Sequence, residues 1–201
     1  MTTIALLLFG DVDLIDVAGP YEVFLTANRL AERRGDMARF QVTTASANGD
    51  QVTSYGGLGL VPQSSLDDLD QVDVLIVPGA VDVDGALADP DLARIATDHA
   101  RRGALIMSIC TGAFVLGAAG LLDHRPFTTH FEDVAELARR VPSATPDDTA
   151  RWIDDGEIVT SGGMTSGIAA SLHLVERMTD RELATATAHQ MDYTWASTRD
   201  A

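Results

Sequence analysis

One thiol stands out. Cys110 is the only cysteine in 201 residues. It sits between two segments of different pattern. Ala104 to Ile109 (A-L-I-M-S-I) is an apolar run of buried-strand length, and from Thr111 onward Phe114, Val115, Ala118 and Leu122 recur at helical spacing. Only Cys110, Thr111 and Gly112 lie between the two, so the strand must turn directly into the helix. A corner of this kind holds its residue exposed at the sheet edge in a strained backbone, as in the G-x-S-x-G hydrolases. A thiol there faces unpaired N–H groups and the positive end of a helix dipole, and both favour thiolate. The expectation is a low-pKa nucleophile at Cys110. A lone cysteine elsewhere often only packs as a small buried hydrophobe. The small Gly112 and Ala113 behind the thiol turn the reading toward a site.

The elements that must position this thiol can be read in order. Ile4 to Phe9 is a strand without alternation, as expected when both faces are covered. Gly10 to Asp16 is an aspartate-rich turn. Val17 to Arg34 reads as a helix, with Gly19-Pro20 near its start fitting a first-turn proline. Phe40 to Ser46 is a strand, and Gln51 to Pro62, with Gly56-Gly57, is a hairpin or a pair of short extended pieces. Val72 to Val77 is a buried strand ending at Pro78-Gly79. Asp89-Pro90 opens a helix running to about Arg102. Phe131 to Arg140 is amphipathic helix. Arg151 to Ile153 and Glu157 to Thr160 bracket Asp155-Gly156, a hairpin turn. Thr165 to Met178 is helical. The T-x-x-E of Thr179 to Glu182 predicts a capping box opening a last helix to about Tyr193.

Strands alternating with helices predict one α/β domain over residues 1–201, a mostly parallel sheet with helices on both faces. Ligands in such sheets bind beyond the carboxyl ends of the strands. That rule selects Asp11 to Asp16, Pro78 to Ala80, Cys110 to Gly112 and Ser161 to Thr165. If their strands are neighbours, one crevice gathers a thiol, carboxylates, a hydroxyl and backbone N–H donors.

Composition narrows the function classes. The formal net charge is −16, with every basic side chain an arginine apart from five histidines. A protein that neutralises phosphates needs a basic face, so nucleic acid and anionic membrane surfaces are not expected partners. A single cysteine makes no intrachain disulfide. Met1 to Phe9 lacks a basic flank and is too short to span a bilayer. A cytoplasmic setting is the expectation. His99, His124, His173 and His189 have no partners at metal-ligand spacing, so no metal and no cofactor is predicted.

Four motifs in chain order resemble the ThiJ/PfpI superfamily: L-I-D-V-A-G-P-Y-E-V-F from Leu14, V-L-I-V-P-G-A from Val74, S-I-C-T-G-A-F-V-L-G-A-A-G-L-L-D from Ser108 with T-T-H at Thr128 to His130, and T-S-G-G-M-T-S-G-I-A from Thr160. The chain is most similar to the isonitrile hydratase branch and to the sensor domains of AraC-type regulators. The resemblance implies a flavodoxin-like three-layer sandwich, usually homodimeric, with Cys110 as nucleophile. It makes Asp16, ahead of Gly19-Pro20, the acid beside the thiol, where many members carry glutamate. It gives Thr111 a catalytic part and leaves His130 either the partner of a Cys–His pair or a structural histidine. Gly79, Ala80, Gly163 and Met164 would line the substrate and oxyanion positions. Ala80 replaces a second glycine, and Met164 replaces a branched aliphatic residue.

The chemistry that follows is hydration of an isonitrile to an N-substituted formamide through a thioimidate on Cys110. Asp16 would donate a proton and later activate water. A carboxyl touching a thiolate repels it, so one of the two holds a proton. The alternatives are a small-molecule sensing domain, a redox sensor that oxidises Cys110, and a glyoxalase- or peptidase-like enzyme. The absence of a basic helix-turn-helix segment before Ala201 speaks against DNA binding by these residues.

Overall fold

The computed structural model of the chain describes residues 1–69 and 72–196. Its elements run β1 (Thr2–Leu7), α1 (Leu14–Arg33), β2 (Phe40–Ser46), β3 (Val52–Thr53), β4 (Gly59–Leu60), β5 (Ser64–Ser65), β6 (Val74–Val77), α2 (Val83–Leu87), α3 (Pro90–Arg101), β7 (Leu105–Ile109), α4 (Gly112–Ala118), β8 (Pro126–Phe127), α5 (Val134–Arg140), β9 (Thr145–Pro146), β10 (Trp152–Asp154), β11 (Ile158–Ser161), α6 (Thr165–Met178) and α7 (Arg181–Gln190).

Seven strands form the main sheet in the order β10-β11-β7-β6-β1-β2-β5. Every pairing in it is parallel except β10 with β11. The apolar runs fall at its centre: Ile4 to Leu7, Val74 to Val77 and Ile106 to Met107 are fully buried. Helices α1, α6 and α7 pack together on one side, and α2, α3 and α4 on the other. This is the mostly parallel, flavodoxin-like α/β sandwich that the sequence leads one to expect.

The strand order answers the question the sequence left conditional. β11, β7, β6 and β1 are consecutive neighbours, so the four loops at their carboxyl ends do converge. An isolated bridge joins Val12 to Ala80. The Asp13 N–H donates to Gly79 O at 2.9 Å, and the Cys110 N–H to Ser161 O at 3.1 Å. Backbone bonds thus tie the loops in two pairs, the one after β1 with the one after β6 and the one after β7 with the one after β11.

Several boundaries differ from the sequence reading. Helix α1 begins at Leu14, three residues early, with Asp13 at its N-cap. Pro20 is therefore interior to the helix. It has no N–H, so the carbonyl of Asp16 loses its partner four residues on. The T-x-x-E capping box does not form. The cap of α7 is Asp180, whose carboxylate accepts from the Leu183 N–H at 2.8 Å, while the Thr179 hydroxyl donates back to Val175 O. A carboxylate one residue later was the better cap. The short α2, only five residues long, carries no periodic signal in the sequence. Its start is fixed by Asp82, which accepts from the Gly85 N–H. The hairpin of β3 and β4 and that of β10 and β11 form as read.

Candidate active site

Cys110 is the last residue out of β7 and turns the chain into α4 with φ of 53°. A left-handed conformation is costly for a residue with a side chain and persists only where surroundings enforce it. Here Gly112 enforces it: a Cβ at that position would strike the carbonyl oxygen of Val77. The helix therefore sits hard against the neighbouring strand, and the corner has no room to relax. The carbonyl of Cys110 accepts from the Thr129 hydroxyl at 2.7 Å, and its N–H also lies 3.2 Å from Gly162 O.

Asp16 lies in the first turn of α1, with no exposed surface. Its Oδ2 accepts from the Gly79 N–H at 3.1 Å. Its Oδ1 has no hydrogen-bond partner. The glycine at 79 is required by space. A Cβ there would lie 2.7 Å from Thr111 Oγ1 and 2.9 Å from Asp16 Oδ2. Burial, foremost, pushes the Asp16 carboxyl up from 3.8 to about 7; the charge of Asp13 adds to the rise, while the Gly79 N–H and the Cys110 thiol oppose it.

The thiol shifts opposite to the sequence expectation. Cys110 is 4% exposed, and burial, aided by the charges of Asp16 and Asp13, pushes its thiol up to about 12. The N–H groups of Thr111 and Met164 work the other way, favouring thiolate. At neutral pH sulfur therefore keeps its proton, and the Asp16 carboxyl is at the midpoint of losing a second one.

The other sequence candidates also meet here. The Thr111 hydroxyl donates to Ala80 O at 2.8 Å, and the Ala80 N–H donates to Thr111 Oγ1 at 2.9 Å. This reciprocal pair holds the β6 and β7 loops in register and occupies both groups. The Gly79 N–H is occupied by Asp16, leaving the Thr111 and Met164 N–H groups as the donors turned to sulfur. Met164 has φ of 51° and ψ of −103°, a second strained corner, and its side chain is half exposed. Gly163 is required because a Cβ would strike the His130 ring. The His130 Nδ1 lies 3.4 Å from Asp133 and 3.9 Å from Glu132, and its ring packs on Phe131. The charges that bear on the thiol are those of Asp16 and Asp13; His130 bears instead on Asp13.

Asp13, which the sequence reading held only as one member of the Asp11 to Asp16 turn, belongs to the site itself. One oxygen from Asp13, one from Asp16 and the Cys110 sulfur all lie within 4.8 Å of one another. The three could share a proton or hold a cation, and no other group of three or more metal-type side chains comes this close among the described residues. The signal was present in the three-residue spacing of Asp13 and Asp16, which places both on one face of a helix start. It was hidden because the helix was expected to begin at Val17.

A family model described as the DJ-1/PfpI family matches residues 2–177. The chain belongs to that family. It is 31% identical over 192 residues to an isonitrile hydratase of Pseudomonas putida, covering 94% of this chain and 78% of that protein. It is 30% identical over 191 residues to the HTH-type transcriptional regulator GbdR of Pseudomonas aeruginosa, covering 95% of this chain but only 50% of the regulator. Among solved structures, a ThiJ/PfpI family protein from Pseudomonas syringae superposes with a TM-score of 0.83 at 28% identity, over 96% of this chain and 75% of that one. No helix among the described residues is long and apolar enough to cross a membrane.

Proposed function

We propose that this DJ-1/PfpI family member is a cysteine-dependent hydratase that converts an isonitrile to an N-substituted formamide, with no cofactor. The observation that carries the reading is the pairing of Cys110 with a fully buried Asp16 whose Oδ1 is unpartnered. A neutral thiol beside a carboxylate of pKa about 7 suits a substrate that needs nucleophile and proton together. The sulfur bonds to the terminal carbon, Asp16 takes the thiol proton, and the same proton passes to that carbon. The product is a thioimidate, Cys110–S–CH=N–R. Water then adds across C=N, the C–S bond breaks, and the formamide leaves with the thiol restored. Thr111 and Met164 N–H groups hold the sulfur in place, and Thr111 Oγ1 fixes the Ala80 wall. Gly163 leaves room for the His130 ring, and the half-exposed side chain of Met164 borders the R group. The relative from Pseudomonas putida supports the reaction class.

The acting unit is one domain working as a homodimer in the cytoplasm, on a small molecule and without nucleic acid or membrane. A second reading, a ligand-sensing domain without turnover, is favoured by the likeness to GbdR and by the raised thiol. The two readings part on one test. Pure protein is incubated with cyclohexyl isonitrile and the mixture followed by proton NMR. Appearance of N-cyclohexylformamide, absent with Cys110→Ala, supports the hydratase. No formamide, together with a rise in melting temperature on ligand addition, supports the sensor.

A further inference from the structure

A carboxyl stands beside the Asp16–Cys110 pair without a part in the chemistry above. Asp13 is the N-cap of α1, where aspartate normally accepts from an N–H of the first turn, yet its side chain makes no cap bond. The carboxyl instead lies within 4.8 Å of both the Asp16 carboxyl and the thiol. Its backbone is pinned at the site by the bond from its N–H to Gly79 O. Asp16 is wholly buried, whereas Asp13 retains a solvent-exposed edge.

The thioimidate must take up water, and that moves protons at two places. Water loses one as its oxygen bonds to carbon, and nitrogen gains one. Asp16 has only Oδ1 free to exchange protons, because Gly79 holds Oδ2, and it has no contact with solvent. We propose that Asp13 is the second acid–base group of the site, taking a proton from the attacking water and delivering it to the nitrogen of the thioimidate. As the C–O bond forms, the C=N π pair moves to nitrogen and accepts that proton, giving S–CH(OH)–NH–R. The C–S bond then breaks with its pair on sulfur, the hydroxyl proton returns to sulfur, and the carbonyl of the formamide forms. One water is consumed and no electron is transferred. Burial, foremost, raises the Asp13 carboxyl, and the charge of His130 opposes the rise; the charge of Asp13 in turn raises both Asp16 and the Cys110 thiol beside it. The balance of these sets how readily it accepts the proton.

This inference rests on the hydratase reading and is tested together with it. Wild type, Asp13→Asn and Asp13→Ser are mixed with cyclohexyl isonitrile and quenched over time. The serine variant keeps a side chain able to cap α1, so a folding defect in the asparagine variant alone does not decide the matter. Intact-protein mass spectrometry reads the adduct on Cys110, and NMR reads formamide. Both Asp13 variants are expected to form the adduct and accumulate it, with formamide release slowed by about 10² to 10⁴. Asp16→Asn is expected to slow adduct and formamide alike by about 10² to 10⁴. Asp13 variants that release formamide at the wild-type rate, or that slow the adduct itself as Asp16→Asn does, would overturn the role. Wild type that makes no formamide overturns the hydratase reading itself and the Asp13 step with it.

Discussion

At the scale of single residues, the site depends on two shifted acids in contact. Because Cys110 and Asp16 are coupled, they lose protons as a pair, and the state that reacts carries one proton between them. Alkylation of Cys110 by iodoacetamide should therefore rise with pH well beyond the range of free cysteine, whose pKa is about 8.5. In Asp16→Asn the curve should move to lower pH, since the carboxylate charge that opposes thiolate is gone. A wild-type midpoint at or below about 8.5 would contradict the burial argument. Stability carries the same signature. Asp16 titrates at about 7 folded, against the ordinary 3.8, so between these values the native state binds more protons than the unfolded one. Stability then falls as pH rises through that window and stays reduced above it. Thermal unfolding should find Asp16→Asn more stable than wild type at pH 8, by up to about 4 kcal/mol, and equal to it at pH 3.

At the scale of elements, close approaches fix where these acids meet. A methyl at Gly79 would press on Thr111 Oγ1 and Asp16 Oδ2. Gly79→Ala should therefore cost about 1–3 kcal/mol and disturb the alkylation profile of Cys110 as well. The segment after α7 adds a brace. The Tyr193 hydroxyl accepts from the Arg151 guanidinium at 2.6 Å and donates to Thr165 O at 3.0 Å, next to the Met164 N–H that favours thiolate. Tyr193→Phe should lower stability by about 1 kcal/mol and slow Cys110 alkylation at fixed pH. An unchanged alkylation rate would limit the brace to stability. Much of this was legible in the sequence. The apolar runs at Ile4, Val74 and Ala104 marked buried strands, and the missing loop at Cys110 marked the corner. What stayed hidden were features of three-dimensional origin. Burial of the thiol reversed the expected shift, and the reciprocal bonds of Thr111 with Ala80 depend on strand order. The early start of α1 depends on packing that places Asp13 at the thiol.

At the scale of the whole molecule, the sheet brings four loops to one edge because β11, β7, β6 and β1 are neighbours. The family likeness motivates a homodimer. Light scattering at micromolar protein and about 0.15 M salt, where the Debye length is near 8 Å, should return twice the chain mass. A monomer mass under those conditions would contradict the assembly. The same measurement at low salt should show weaker association, because two chains of formal charge −16 repel.

The claim at the centre is that Asp16 and Cys110 share the proton that adds to the isonitrile carbon. The direct measurement is the rate of formamide production against pH for wild type and Asp16→Asn. Wild-type activity should rise through about pH 7, as the Asp16 carboxyl loses the second proton of the pair. The asparagine variant should be slower by about 10² to 10⁴ and should lack that limb. An Asp16→Asn variant that keeps both the wild-type rate and the bend near pH 7 would contradict the account.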